Sequence, residues 1–192
     1  RKVPEAIMKA IERRYNLDKP LMEQYWDYIK NVAKWDLGPS FKYKGMTVNQ
    51  LINDHFPISA KLGGISILVA IIIGVPVGIL AAMRHNGMLD RTVSALAILT
   101  AAAPSFVIAG LLQYVLAFRL KWLPPATWGG GKWEYMVLPI LALTSFSLAW
   151  IVKLTRSSML EVMNQDYVRT VRAKGLPEFF VIYRHMLKNA LA

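Results

Sequence analysis

Residues 62–83 read LGGISILVAIIIGVPVGILAAM, a stretch without a charged side chain. As a helix it is long enough to cross the hydrocarbon layer of a membrane, which is about 30 Å thick and requires about 20 residues. Residues 92–118 and 135–152 form two further uncharged apolar stretches. Because backbone in lipid must satisfy its own hydrogen bonds, each stretch is predicted to be a transmembrane helix. The sequence therefore predicts an all-α, polytopic membrane protein.

The composition limits the function classes. The 192 residues are 55% hydrophobic and carry a net charge of +11. The basic residues are spread along the chain and flank the apolar stretches, which favours contact with lipid headgroups over nucleic acid. Equal numbers of Lys and Arg lie near the span ends on the two sides, so charge alone does not decide the orientation. The chain has no cysteine, which excludes disulfides and thiolate metal sites.

The segment before the first span is predicted to be helical and to lie outside the membrane. A first helix is predicted after Pro4, and residues 21–32 repeat apolar and aromatic side chains at helical spacing. The run Asp36-Leu37-Gly38-Pro39 is predicted to end that pattern. Thr47 is predicted to be the N-cap of a second, short helix that ends at Pro57.

Each predicted span contains proline. The first holds Gly74-Val75-Pro76-Val77-Gly78, a small-residue spacing that permits close helix contact around a proline bend. Pro104 and Pro139 lie in the second and third spans. Such helices bend around a transport pathway in some proteins, but proline is also common in membrane helices generally. Ser105 and Phe106, with Pro104, are the candidates for lining a pathway, and helix packing is the alternative explanation for them.

The connection between the second and third spans is rich in tryptophan, proline and glycine. Its tryptophans, Trp122, Trp128 and Trp133, suit either anchoring at the membrane interface or a platform for a ligand. Its glycines precede Lys132 but do not form a phosphate-binding loop. That pattern would require Gly in place of Ala126 and Ser or Thr in place of Trp133. No ATP site is therefore predicted in this chain.

The tail after the third span contains two short amphipathic helices. In the first, three apolar side chains at helical spacing form one stripe, and three basic side chains point elsewhere. The apolar residues are Tyr167, Val168 and Val171, and the basic residues are Arg169, Arg172 and Lys174. Gly175 is predicted to end this helix and Pro177 to begin the next. Such helices lie in a membrane interface or dock onto a partner.

The run Asp166-Tyr167-Val168-Arg169-Thr170-Val171-Arg172-Ala173-Lys174-Gly175-Leu176 resembles the cytoplasmic signature of ABC-transporter permease subunits, in the form of the oligopeptide and dipeptide branch. Other runs match the same branch in the same order. They are Asp36-Leu37-Gly38, Leu89-Asp90-Arg91, Ala103-Pro104-Ser105-Phe106, Gly110-Leu111-Leu112, Trp122-Leu123-Pro124 and Thr155-Arg156-Ser157-Ser158-Met159-Leu160-Glu161-Val162. The general signature starts with Glu-Ala-Ala, whereas this chain has Arg169-Thr170-Val171, as is usual in the peptide branch.

The resemblance implies the type I ABC importer permease fold and a division of the chain. Residues 1–61 would be an extracytoplasmic helical segment, and residues 62–154 would hold the three transmembrane helices. Residues 155–192 would be a cytoplasmic loop with the coupling helix, at about 164–175, and the start of the next helix. The first helix and the last two helices of such a subunit have no counterpart here, so we expect a fragment of a longer membrane subunit.

The resemblance also implies a role for the tail. The residues Asp166, Tyr167, Val168, Arg169, Thr170, Val171, Arg172, Ala173, Lys174 and Gly175 would form the coupling helix, which docks in a groove of a cytoplasmic ATPase. The apolar stripe would fill a socket, and the basic residues would meet acidic groups at its rim, where charges set specificity and encounter rate. From spacing alone, the alternative is an interfacial helix whose cations meet anionic lipids.

The implied function is that of a permease subunit of an ATP-driven importer in a prokaryotic plasma (inner) membrane, working by alternating access. Its partners would be a second permease subunit, two cytoplasmic ATPases that hold ATP and Mg, and an external substrate-binding protein. This chain would be no enzyme and hold no cofactor. Di- and oligopeptides are the expected cargo, with oligosaccharides or nickel as alternatives.

Two other function classes compete with this interpretation. A membrane-embedded enzyme and an ion-coupled transporter or channel should both carry ionisable residues inside their spans. The three predicted spans contain none. His55, His85 and His185 are isolated in the sequence, with no partner at metal-binding spacing. The sequence therefore disfavours both classes.

Overall fold

The computed structural model describes residues 18–125 and 127–190. Secondary structure within these ranges is helical, apart from one isolated antiparallel bridge between Pro39 and Thr47. This result confirms the predicted all-α fold class. The helix predicted after Pro4 lies outside the described residues.

By packing, the chain separates into two compact units, Arg1–Ala60 and Lys61–Ala192. In the first unit, helix α1 spans Leu21–Ala33, and none of its residues is buried. Gly38 follows with a φ of +76°, a backbone conformation that glycine adopts at little cost. Its N–H donates to the carboxylate of Asp36 at 3.0 Å. The predicted break after the first apolar pattern is therefore a turn.

Helix α2 spans Val48–Met83. The hydroxyl of Thr47 accepts a hydrogen bond from the N–H of Gln50 at 3.2 Å, and the side-chain carbonyl of Gln50 accepts one from the N–H of Thr47 at 2.9 Å. This reciprocal capping box confirms the predicted N-cap. The prediction that the helix ends at Pro57 is wrong, because α2 continues through it. Proline removes only one N–H from the helix, and the apolar sequence beyond it favours continued helix.

The second predicted span is divided at its proline. Helix α3 spans Met88–Ala102 and helix α4 spans Ser105–Arg119, with a bend of 104° between them. The predicted span, residues 92–118, is therefore a bent pair of helices and not one continuous helix. Ala103 is extended, with φ −79° and ψ 130°, as the residue before a proline usually is. Because Pro104 also lacks an N–H, the hydrogen-bond ladder of α3 stops here.

Helix α5 spans Trp133–Met163 and contains the predicted third span, residues 135–152. By length and apolar composition, α2 and α5 are able to cross a membrane, and the bent pair of α3 and α4 adds a third crossing if it is one span. The C-terminal part of α4, Gln113–Arg119, is π-helical, and Gly129–Gly131 form a 3-10 turn. Helix α6 spans Asp166–Ala173. Helix α7 joins Glu178–Phe180, the π-helical Val181–Met186 and Leu187–Ala190.

Helices α2 and α5 approach closely at two glycines. A Cβ atom on Gly78 would lie 2.7 Å from the Cβ of Thr155. A Cβ atom on Gly74 would lie 2.8 Å from a side-chain carbon of Ile151. Both distances are shorter than carbon atoms tolerate, so this approach requires glycine. The small-residue contact predicted for the first span is confirmed.

The main apolar core lies where α2, α5, α6 and α7 meet. Its buried residues are Ile79, Ala82, Met159, Val162, Val168, Val181 and Met186. Burial of apolar surface stabilises a protein by about 25 cal/mol per Å². Because residues of all four helices share this core, α6 and α7 are anchored to the ends of the two long helices.

Candidate functional site

Helix α6 follows α5 after only two residues, Asn164 and Gln165. The N–H of Gln165 donates to the carbonyl of Val162, and its own carbonyl accepts from the N–H of Val168, both at 3.1 Å. At the other end, Gly175 has a φ of +75°, and its N–H donates to the carbonyl of Arg172 at 2.9 Å. The glycine therefore ends the helix as predicted, and short turns hold α6 at both ends.

The apolar stripe of α6 faces the chain's own core. Val168 is fully buried there, and Tyr167 and Val171 pack against the same core. The Tyr167 hydroxyl also donates to the backbone carbonyl of His185 at 3.4 Å. The prediction that these three residues fill a socket on another subunit is wrong for Val168, which has no exposed surface left. An apolar stripe indicates that one side of a helix is buried. It does not indicate whether the same chain or a partner subunit buries that side.

The opposite side of α6 is polar and exposed. Its exposed residues are Asp166, Arg169, Thr170, Arg172 and Ala173, followed by Lys174. The side chain of Arg169 is 76% exposed and lies 3.8 Å from the carboxylate of Asp166, an arrangement that solvent screens strongly. Any partner that binds α6 in this conformation therefore meets mainly charged and hydroxyl groups.

One of the predicted rim cations has a partner within the chain. The Arg172 guanidinium donates from Nη2 to Oε1 of Glu178 at 2.6 Å and from Nε to Oε2 at 3.2 Å. The hydrogen bond to Glu178 raises the pKa of Arg172 above its ordinary value. This bidentate pair joins α6 to the first turn of α7 across Gly175. Arg172 thus links the two helices through an exposed ion pair, a contact the sequence analysis did not assign.

A second candidate site lies at the bend between α3 and α4. Pro104, Ser105 and Phe106, the three predicted pathway residues, line a cavity of about 720 Å³. Its other walls belong to α2, α3, α4 and α5, and most of their residues are small. They are Gly63, Ser66, Ile67, Ala101, Ala102, Ala103, Ala109, Ala142, Leu143, Phe146 and Ser147. The structure thus brings the predicted residues to one cavity and adds hydroxyls from α2 and α5.

A third feature is an ion pair between a buried carboxylate and a partly exposed guanidinium, which the sequence analysis missed. The Asp90 side chain in the first turn of α3 is only 3% exposed. Arg156 of α5 binds it with two hydrogen bonds, from Nε to Oδ1 and from Nη2 to Oδ2, the latter at 2.8 Å. The N–H of Asn86 donates to Oδ2 at 3.0 Å, and the Ser94 hydroxyl donates to Oδ1 at 3.4 Å. Each carboxylate oxygen therefore has two donors.

His85 is a further neighbour of this pair. Its Nδ1 lies 3.4 Å from Oδ2 of Asp90 and 3.4 Å from Nη2 of Arg156. His85 is isolated in the sequence, but the turn before α3 brings it to a carboxylate in the fold. The sequence did contain a signal, because Asp90 and Arg156 both fall in runs that resemble the permease branch. The two residues are 66 positions apart in the sequence, so no local pattern predicts their contact.

Comparison with known proteins places these sites in a family. Residues 74–192 match the family described as the binding-protein-dependent transport system inner membrane component. The chain belongs to this family. The matched part contains α3–α7, and hence the exposed side of α6, the Asp90 ion pair and most of the cavity wall. The permease resemblance drawn from the sequence is confirmed.

Relatives with established names are similar over nearly the whole chain. The oligopeptide transport system permease protein OppB of Salmonella typhimurium is 47% identical over 191 residues, and that of Escherichia coli K12 is 46% identical. The dipeptide transport system permease protein DppB of Bacillus subtilis is 45% identical over 187 residues. The chain spans 62% of the length of the two OppB proteins and 60% of DppB.

Proposed function

We propose that the chain is part of a membrane-spanning permease subunit of an ATP-driven importer in a prokaryotic plasma membrane. Its cargo would be di- or oligopeptides, which the names of the OppB and DppB relatives favour over oligosaccharides and nickel. The chain would move cargo by alternating access together with a second permease subunit and an external substrate-binding protein. Two cytoplasmic ATPases would hold ATP and Mg and supply the energy.

The observation that carries this proposal is the two-sided character of α6. Val168 anchors the helix in the core formed with α2, α5 and α7, while Arg169 and Thr170 point outward. A helix that transmits force between subunits requires both properties: a firm attachment to its own subunit and an exposed surface for the other. In this proposal α6 is the coupling helix, and its polar side contacts the ATPase.

The proposed orientation follows from that role. The tail from residue 155 and the turn that contains His85 and Asn86 would be cytoplasmic. Residues 1–61 and the tryptophan-rich connection would lie outside. The cavity at the α3–α4 bend would belong to the translocation pathway, with Pro104, Ser105 and Phe106 on its wall.

Charge reversal on the exposed side of α6 tests the proposal. In the full-length permease, we expect Arg169→Glu together with Lys174→Glu to remove most of the copurifying ATPase, because like charges at a contact cost several kcal/mol. Neither side chain contributes to the apolar core, so membrane insertion should be unchanged. The measurement is the amount of ATPase subunit recovered per inserted permease.

The matched control reverses two exposed basic residues at the opposite end of the spans, Arg119→Glu together with Lys121→Glu. This double variant has the same change in charge and should retain the ATPase. Full ATPase recovery with the α6 variant, or equal loss with both variants, would contradict the role of α6.

A further inference from the structure

We propose that the Asp90–Arg156 pair is the link through which a movement of α6 reaches the bend between α3 and α4. Asp90 and Arg156 would then be positioning residues for transport. They would contact neither cargo nor ATPase, and they would couple the movement of the cavity wall to the movement of the coupling helix. This inference rests on the proposed function of α6.

The placement of the two residues supports the link. Arg156 lies on α5, the helix that continues into the turn before α6. Asp90 lies in the first turn of α3, and the other end of α3 carries Ala101 and Ala102 of the cavity wall. Because α3 and α5 are each continuous helices, a displacement at one end of a helix is transmitted to its other end. The ion pair therefore connects the α6 end of α5 to the helix that ends at the bend.

Helices α3 and α5 also pack against each other along the stretch between the ion pair and the bend. With Val77 of α2, they line a mainly apolar cavity of about 240 Å³ there. Its residues are Val77, Val93, Leu96, Ala97, Thr100, Ser145, Leu148, Ala149 and Val152. The ion pair therefore adds a directional, charged contact to the apolar packing of these two helices.

The chemistry of the pair suits a rigid link. A bidentate guanidinium–carboxylate contact fixes orientation as well as distance. The Asp90 carboxylate is also held by the N–H of Asn86 and the hydroxyl of Ser94, both close to it in sequence. Separation of the pair would leave a buried charge without its partner, which is strongly unfavourable. The contact therefore resists sliding when α5 moves.

The test uses the full-length permease assembled with its second permease subunit, both ATPases and the binding protein in proteoliposomes. Arg156→Lys keeps the charge but removes the bidentate contact, and Asp90→Asn removes the charge with little change in size. For both variants, we expect ATPase recovery and ATP hydrolysis close to wild type. The ratio of ATP hydrolysed to peptide transported should rise about fivefold or more, the lower range of typical coupling between sites.

Arg91→Lys, an exposed neighbour on the same turn, is the matched control and should keep the wild-type ratio. The proposal is overturned if Arg156→Lys and Asp90→Asn also keep that ratio. It is equally overturned if Arg156→Lys loses the ATPase along with transport, since the pair would then serve assembly. The proposed function fails differently: the wild-type complex itself would neither retain the ATPase nor transport peptide.

Discussion

Peptide transport is expected to fall to background when Ala102 is replaced by tryptophan. Ala102 lines the cavity of about 720 Å³ at the α3–α4 bend, opposite small residues of α2 and α5. An indole ring at this position would occupy the space that the account assigns to passing cargo. Ala102 is not part of the apolar core that holds α6, so ATPase binding should persist. The measurement is uptake of a labelled peptide by proteoliposomes that contain the complete transporter, with ATPase recovery measured in parallel.

Leu99→Trp is the matched control for this prediction. Leu99 lies one turn earlier on α3, is 66% exposed and lines neither cavity of the α3–α5 region. The same indole should leave transport intact there. Wild-type uptake by the Ala102→Trp protein would remove the cavity from the translocation pathway, and the bend would then be a feature of helix packing.

Val168→Asp is expected to release α6 from the rest of the subunit. Val168 is fully buried among apolar residues of α2, α5 and α7, so the new carboxylate would have no partner. An uncompensated buried charge costs about 3–5 kcal/mol. We expect faster amide hydrogen exchange in residues 164–190 of the full-length protein, together with loss of the bound ATPase. Exchange in α2 and in the membrane part of α5 should change little.

Thr170→Asp places the same carboxylate two residues later, on the exposed side of α6. It should leave hydrogen exchange in this region unchanged. If Val168→Asp also leaves exchange unchanged, Val168 is not the anchor of α6. The two-sided character on which the coupling proposal depends would then be absent.

The sequence predicts elements best where local chemistry decides them. Thr47 and Gln50 form a capping box because both partners lie within one turn, and Gly175 ends α6 because glycine adopts a positive φ easily. Proline shows the limit of this reasoning. Pro57 lies inside α2, whereas the chain bends by 104° at Pro104. Hydropathy does not distinguish these outcomes, because residues 92–118 are apolar on both sides of the bend.

The other differences between the predictions and the structure arise from contacts between residues that are far apart in the sequence. The spacing of Tyr167, Val168 and Val171 predicts a covered stripe, but the residues that cover it come from α2, α5 and α7. Asp90 and Arg156 are 66 residues apart, and no local pattern pairs them. The candidate pathway residues were found from a proline beside a hydroxyl. The small residues that complete the cavity wall carry no chemical signal in the sequence.

Site-specific cross-linking tests whether the exposed side of α6 contacts the ATPase. The 192 residues contain no cysteine, so Arg169→Cys introduces a thiol that is unique within this part of the permease. Lys121→Cys, in the tryptophan-rich connection, serves as the control. In the assembled transporter, a thiol-directed cross-linker should join Arg169→Cys, but not Lys121→Cys, to the ATPase. No cross-link from Arg169→Cys, or a cross-link from Lys121→Cys instead, would contradict the account.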